Sequence, residues 1–126
     1  MNLLNILLVG AGGAIGSAAR YLLSTFVLRL SGSLFPFGTF AVNLLGCIVF
    51  GVIAGAADQR VPLGSAPRAF LLVGVLGGFT TFSSYAFESF WLLRDGHVAA
   101  ASLNVAGQVV AGLLGVWMGF ALGRGI

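Results

Sequence analysis

The sequence predicts an all-α integral membrane protein with four transmembrane helices, and three observations support this fold class. Of its 126 residues, 59% are hydrophobic and only 7% are charged, whereas soluble domains carry about 25% charged residues. Four apolar segments are long enough to cross a bilayer, which takes about 20 residues. Short polar turns separate the segments. We therefore expect one four-helix domain, residues 1–126, in the cell membrane, with spans at 3–30, 37–57, 68–93 and 98–122.

The composition also argues against several classes of function. The arginines are scattered and there is no lysine, whereas nucleic-acid binding requires clustered basic residues. Cys47 is the single cysteine and lies in an apolar run, so it supports neither a disulfide framework nor a cysteine metal site. The sequence shows no nucleophile–base pair and no cluster of metal ligands. We therefore expect neither an enzyme nor a nucleic-acid-binding protein.

The first two predicted helices differ in their polar content. The first, residues 3–30, carries several glycines in its first half, which allow close helix packing, and one charge, Arg20. The second, residues 37–57, has no charge but carries Thr39 and Asn43, which are four residues apart and so share a face. A polar loop that contains two prolines follows it.

The third predicted helix, residues 68–93, is interrupted near its middle. Gly77 and Gly78 each cost a helix roughly 1 kcal/mol relative to alanine, and a cluster of hydroxyls and aromatic rings follows at 79–85. Broken backbone at membrane depth is tolerated where it is buried in protein or lines a watery cavity. We therefore expect a helix break at Gly77–Gly78 and place the functional centre there.

The fourth predicted helix, residues 98–122, combines a polar face with a packing seam. Asn104 and Gln108 are four residues apart and share a face. The small residues that form the seam recur at Gly115, Gly119 and Gly123.

The arginines near the span ends are almost evenly divided between the two sides of the membrane. The side that holds both termini has Arg60, Arg68 and Arg124; the other side has Arg29, Arg94 and, if it snorkels that way, Arg20. Orientation follows an excess of Lys and Arg, so this near tie favours insertion in both orientations. Two chains would then pair antiparallel as a homodimer, which would also give buried polar groups partners. A fixed orientation with a weak bias is the alternative.

The polar side chains within the spans are mostly hydrogen-bond donors. Only Glu88 is acidic, whereas cation channels favour rings of carboxylates, so the set suits a small anion. Phe82 and Tyr85 would share a helix face and present positive ring edges, although aromatic residues at this spacing are also typical of a packed core. The donors are Thr39, Asn43, Thr80, Thr81, Ser83, Ser84, Tyr85, Asn104 and Gln108.

Two segments of the chain form specific motifs, FGTFAVNLLG at 37–46 and GGFTTFSSYAFE at 77–88. They resemble the signature segments of the Fluc (CrcB) family of fluoride channels, and the similarity covers essentially the whole chain. The resemblance implies an antiparallel, dual-topology homodimer with two pores. Through them fluoride would leave the cytoplasm passively, which lowers its toxicity.

The resemblance also assigns roles by motif position. It implies a pore asparagine at Asn43 and anion-facing rings at Phe82 and Tyr85. It also implies a sodium ion at the dimer centre, held by the backbone carbonyls of Gly77 and Thr80 from both subunits. The other residues expected along the fluoride pathway are Ser83, Thr39, Asn104 and Gln108. The resemblance leaves the role of Glu88 open.

The chain departs from the family pattern at Tyr85 and along the fourth helix. The family has phenylalanine at position 85; tyrosine keeps the ring edge and adds a hydroxyl, which fluoride or a protein group could bind. Gly112 and Val116 interrupt the polar track of the fourth helix. The main alternative function is a small dual-topology exporter of cationic compounds, which needs a carboxylate that the first span lacks. A purely structural subunit would leave the donors at 80–85 unexplained.

Overall fold

The computed structural model describes residues 2–59 and 62–125, and all of its regular structure is helical. Four helical segments are long and apolar enough to cross a membrane, and the third is broken. The predicted all-α class with a broken third span is therefore confirmed, while Arg60 of the charge argument lies outside the described residues. In order, the elements are α1 (Leu3–Ser31), α2 (Phe37–Gln59), α3 (Ser65–Arg68), a π-helix (Ala69–Leu76), α4 (Gly77–Phe79), α5 (Phe82–Arg94) and α6 (Val98–Gly125). The elements from α3 to α5 form the third span.

The ends of the long helices follow from local sequence. Asn2 caps α1, because its side-chain oxygen accepts a hydrogen bond of 3.0 Å from the Leu4 N–H. Gly32 ends α1 in the left-handed conformation, with φ of 54°, and its N–H bonds to the Leu28 carbonyl. The turn between α5 and α6 likewise contains a left-handed glycine, Gly96, with φ of 83°.

The helix α2 packs along α6 through glycines on both helices. A Cβ at Gly51 or Gly55 would collide with the backbone of α6, and one at Gly119 or Gly123 would collide with the backbone of α2. The two backbones are therefore in direct contact, as small residues at membrane helix interfaces allow. This contact is the packing seam that the glycine spacing of α6 predicts.

A second glycine seam joins α1 to the first half of the third span. A Cβ on Gly12 would lie 2.5 Å from the Phe70 carbonyl oxygen, and one on Gly78 would lie 2.6 Å from the Gly13 carbonyl oxygen. Gly78 therefore allows the close contact with α1, and its backbone is helical. The helix breaks later than the sequence predicts, at 80–81, where the backbone becomes extended.

The outer surface of the four spans is apolar, as expected of helices in lipid. Large hydrophobic side chains such as Leu113 and Trp117 are about two-thirds exposed, at 69% and 68%. The largest fully buried side chains are only Val42 and Asn104. The protein is thus a multi-pass protein of the cell membrane whose single chain encloses little apolar core.

The α1 seam predicts opposite effects for two glycine substitutions. Gly16→Ala should lower the melting temperature of the purified protein, because the new Cβ would collide with the Val75 carbonyl and force the helices apart. Gly10→Ala is the matched control: apart from the adjacent backbone of α1, no described residue lies within 4 Å of that Cβ position, and alanine favours helix. Equal melting temperatures for the two variants in thermal unfolding would contradict the assigned contact.

Candidate functional site

The break in the third span consists of two extended residues, Thr80 and Thr81. Thr80 has φ −82° and ψ 157°, and Thr81 has φ −150° and ψ 113°. The Thr80 hydroxyl bonds back to the Leu76 carbonyl at 2.9 Å, which closes the helix that ends. The Thr81 hydroxyl accepts a bond of 3.2 Å from the Ser84 N–H, which caps α5. Two neighbouring threonines therefore end one helix and start the next.

The side chain of Asn43 satisfies the backbone that the break exposes. Its Oδ1 accepts a bond of 2.8 Å from the Thr81 N–H, and its Nδ2 donates to the Thr81 carbonyl at 3.1 Å. In a continuous helix the Thr81 N–H would bond to the Gly77 carbonyl. The amide of α2 takes that donor, so the Gly77 carbonyl loses its helical partner.

From Asn43 a chain of hydrogen bonds runs through α6 to α5. Asn43 Nδ2 donates to Gln108 Oε1 at 2.7 Å, and Gln108 Nε2 donates to Asn104 Oδ1 at 2.9 Å. Asn104 Nδ2 donates to Ser89 Oγ at 2.9 Å, and Ser89 Oγ donates to the Tyr85 carbonyl at 2.8 Å. We call these four side chains and the Tyr85 carbonyl the amide relay. Every donor in it points the same way, from α2 towards α5.

The members of the relay differ in their access to the surface. Asn104 and Ser89 are buried, with 0% and 6% exposure. Asn43 and Gln108 are half-buried and line an open groove of about 450 Å³ beside the break. The groove also contains Thr80, Thr81, Phe82 and Tyr85 among its polar and aromatic residues, and Leu72, Leu76, Val109 and Val116 among its apolar residues. The structure thus brings Asn43, Phe82, Tyr85 and Gln108 together and places Asn104 behind the groove wall.

Two aromatic rings form part of the groove wall. The centroids of Phe82 and Tyr85 lie 5.4 Å apart with their planes inclined at 52°. Phe82 is 78% exposed in the single chain. The Tyr85 hydroxyl donates to the Val105 carbonyl of α6 at 3.3 Å, so a protein acceptor already holds it.

Thr39, Glu88 and Ser83 are polar residues of the spans that lie apart from the relay. The Thr39 hydroxyl, although on the same helix as Asn43, donates to Glu88 Oε1 at 2.6 Å. The other oxygen of Glu88 is buried and has no hydrogen-bond partner among the described residues. Ser83 is exposed at the start of α5, with its Oγ 3.3 Å from the Thr81 hydroxyl.

Backbone carbonyls are the oxygen ligands that the break offers to a cation. Within 2–59 and 62–125, no group of three His, Cys, Asp or Glu side chains could hold a metal ion. The Gly77 carbonyl lacks its helical donor, and a Cβ on Gly77 would meet nothing closer than 3.8 Å. Unwound carbonyls at half-helix ends are known sodium ligands in membrane proteins. The carbonyls of Gly77, at the end of the first half-helix, and of Thr80, in the extended backbone, are therefore the oxygens that would hold a sodium ion here.

The sequence predicts about half of the residues that line the groove and misses two features of the site. Ser89 was not a candidate, although a serine in an apolar span, four residues after Tyr85, is a signal for a polar contact. The pairing of Asn43 with the Thr81 backbone joins residues 38 positions apart, and spacing within one helix does not show such a contact.

The fold and the groove define a small four-span membrane protein with an opening at a broken helix, where amides and hydroxyls lie among apolar side chains. A model of the family described as "CrcB-like protein, Camphor Resistance (CrcB)" matches residues 7–120. The chain therefore belongs to the CrcB-like family, which confirms the resemblance seen in the sequence.

Relatives cover almost all of the chain. One is the "Fluoride-specific ion channel FluC" of Maridesulfovibrio salexigens, 44% identical over 118 residues, with 94% of each chain covered. A protein of the same name from Methylobacillus flagellatus is 46% identical over 118 residues, with 93% of this chain and 92% of the relative covered. Another, from Agrobacterium fabrum, is 40% identical over 124 residues, with 98% and 99% covered.

The double contact between Asn43 and Thr81 predicts a stability effect. Asn43→Ala removes the partner of the Thr81 N–H and one of the donors to the Thr81 carbonyl, and an unsatisfied buried group costs about 1–3 kcal/mol. We expect a clearly lower melting temperature. Cys47→Ala, one turn further along α2, is the control, since it removes a half-buried thiol but no amide. A melting temperature for Asn43→Ala as high as that of the control would show that the break does not depend on this amide.

Proposed function

We propose that this chain is a fluoride channel that lets fluoride leave the cytoplasm passively. The observation that carries the proposal is the groove, whose polar lining consists of amides and hydroxyls, with no Asp or Glu among its lining residues. The printed names of the relatives support the same ion, over more than nine-tenths of this chain. The protein would thus act as an ion channel and not as an enzyme.

The chemistry of the groove suits an anion that must shed water. A channel lining has to replace the hydration shell of its ion, and for an anion the replacements are hydrogen-bond donors. Amide N–H groups and hydroxyls provide such donors without a negative charge. The ring edges of Phe82 and Tyr85 carry partial positive charge and can add contacts.

We assign the pathway residues from their places around the groove. Asn43, Gln108, Phe82 and Tyr85 would line its centre, where their side chains border the same cavity. Ser83 is exposed at the start of α5 and would continue the pathway beyond the rings. Thr39 and Asn104 do not border the groove and would act on the pathway indirectly: Thr39 is tied to Glu88, and Asn104 supports Gln108 from behind.

A second, antiparallel copy would complete the channel. In the single chain the groove is open and Phe82 is 78% exposed, so in a monomer the polar break would face hydrocarbon, which is costly. Gly77 is exposed, and packing within the chain does not require a glycine there. A symmetry-related break could therefore approach Gly77 closely. Two copies would form two pores, each bordered by both subunits.

The approach of two breaks also supports the proposed sodium site. The carbonyls of Gly77 and Thr80 from each copy would hold the ion at the dimer centre. The positive charge of sodium would offset part of the cost of bringing anions into a medium of low dielectric constant. Each chain would contribute backbone carbonyl oxygens, and the absence of a side chain at Gly77 would let the two breaks approach each other.

No specific observation favours the exporter of cationic compounds. Its binding chamber would need a membrane-embedded carboxylate, and α1 has no acidic residue. The one acidic residue in the middle of a span, Glu88, bonds to Thr39 and does not border the groove.

The direct test is ion efflux from liposomes that contain the purified protein. We expect rapid fluoride release and no chloride release above that of protein-free liposomes. Efflux of fluoride equal to that of protein-free liposomes would refute the proposed function. Transport that follows an imposed proton gradient and carries a cationic compound would instead support the exporter.

The aromatic pair gives a matched comparison in the same assay. Phe82→Ile keeps apolar bulk but removes the ring edge, so fluoride efflux should fall strongly at equal dimer content. Tyr85→Phe keeps the ring and loses a hydroxyl that bonds to Val105, so it should retain at least partial efflux. Normal efflux through Phe82→Ile would mean that ring edges do not contact the ion. Loss of efflux in Tyr85→Phe would make the hydroxyl an essential ligand.

The proposed antiparallel pairing predicts mixed orientation in the membrane. A tag at the C-terminus should be accessible from outside in about half of the molecules, because the arginines give almost no net bias. The measurement is labelling of the tag in intact cells compared with permeabilised cells. A tag found on one side only would rule out the antiparallel homodimer, provided that the cells contain no homologue inserted in the opposite orientation.

A further inference from the structure

We propose that Asn104 and Ser89 are positioning residues that fix the direction of the amide relay, so that Gln108 presents an N–H donor to the groove. This inference rests on the proposed function. It assigns roles to two buried side chains and identifies Gln108 as the residue whose amide donor remains for the ion.

The relay is fixed at its α5 end by a backbone carbonyl. The Tyr85 carbonyl can only accept, so the Ser89 hydroxyl must donate to it, at 2.8 Å. The proton of that hydroxyl is then committed, and its oxygen is left to accept from Asn104 Nδ2 at 2.9 Å. Asn104 consequently turns its oxygen towards Gln108, where it accepts from Nε2.

The relay is fixed in the same sense at its α2 end. The Thr81 N–H can only donate and the Thr81 carbonyl can only accept, so they orient the Asn43 amide uniquely. One N–H of Asn43 goes to the Thr81 carbonyl and the other goes to Gln108 Oε1 at 2.7 Å. Both N–H groups of Asn43 are therefore occupied within the protein.

Two amide N–H groups of the relay have no acceptor among the described residues, one on the buried Asn104 and one on Gln108, and of these two side chains only Gln108 borders the groove. A primary amide has two N–H groups; one of those on Gln108 bonds to Asn104, and no described residue accepts the other. The Gln108 oxygen is occupied by Asn43. A free glutamine amide can present either its oxygen or its N–H groups. Because the relay occupies the oxygen, Gln108 presents an N–H donor to the groove that it borders. A donor at this point favours an anion over a cation.

The burial of the two positioning residues supports this reading. Asn104 is 0% exposed and Ser89 is 6% exposed, so neither can contact an ion in the groove. Buried polar groups need good partners, and here these partners form one unbroken path to Gln108. Their effect on the ion would be indirect, through the orientation of the Gln108 amide.

The test observes the Gln108 amide itself. The chain has two glutamines, Gln59 and Gln108, so glutamine labelled with ¹⁵N in the side chain gives two amide signals, and Gln108→Leu identifies the one from Gln108. We expect one proton of that NH₂ group to shift when fluoride is added to the purified dimer. The signal of the other proton, which bonds to Asn104, should not shift, and chloride should shift neither proton signal.

Variants of the positioning residues should alter both this signal and transport. Asn104→Leu removes the acceptor that holds Gln108, so we expect the selective proton shift to disappear and fluoride efflux per dimer to fall by about tenfold or more. Ser89→Ala removes only the acceptor for Asn104, and we expect a smaller loss of about threefold. Ser24→Ala is the control, because Ser24 makes a similar bond to the Tyr21 carbonyl of its own helix, outside the relay.

The outcomes separate this inference from the proposed function. Wild-type efflux of fluoride with no response of the Gln108 amide, or unchanged efflux and spectra in both relay variants, would overturn the inference and leave the channel function intact. Absence of fluoride efflux in the wild type would refute the function itself, and this inference with it. If Asn104→Leu does not form dimer, Ser89→Ala decides: an effect equal to that of Ser24→Ala would reject the positioning role.

Discussion

The site depends on one pairing, in which the side-chain amide of Asn43 bonds to both backbone groups of Thr81. Without a partner, extended backbone inside a membrane is costly. The pairing allows the third span to be broken, ties α2 to it, and takes the donor that would otherwise bond to the Gly77 carbonyl. It also orients the first amide of the relay. A single amide on a neighbouring helix thus both supports the broken backbone and sets the orientation of the first link of the relay.

The fold class and spans could be predicted because bilayer thickness and composition restrict this chain so strongly. The position of the break could not. Gly77 and Gly78 weaken a helix, but propensity does not show what a glycine contacts, and Gly78 lies against the Gly13 backbone. The true break is fixed by Asn43, which is distant in sequence and becomes a neighbour only when the helices pack.

The groove was predicted in part, for a similar reason. Residue type, helix period and the family resemblance together indicate Asn43, Phe82, Tyr85 and Gln108, and all four border the cavity. The same arguments treated Asn104 as a lining residue and did not consider Ser89. Two residues on one helix face can still point to different partners, since the direction of each side chain depends on the helix opposite. Spacing therefore predicts which residues are polar neighbours but not which of them reaches the opening.

The make-up of the amide relay has a consequence for channels in acidic surroundings. Its members are three carboxamides, one hydroxyl and backbone groups, none of which gains or loses a proton in the range where histidine and carboxylates titrate. A donor held in place by histidine would change its charge near neutrality. Here the direction of the hydrogen bonds is set by peptide groups at both ends and is independent of proton concentration. The lining at Gln108 should therefore keep the same polarity whether the solution outside is neutral or strongly acidic.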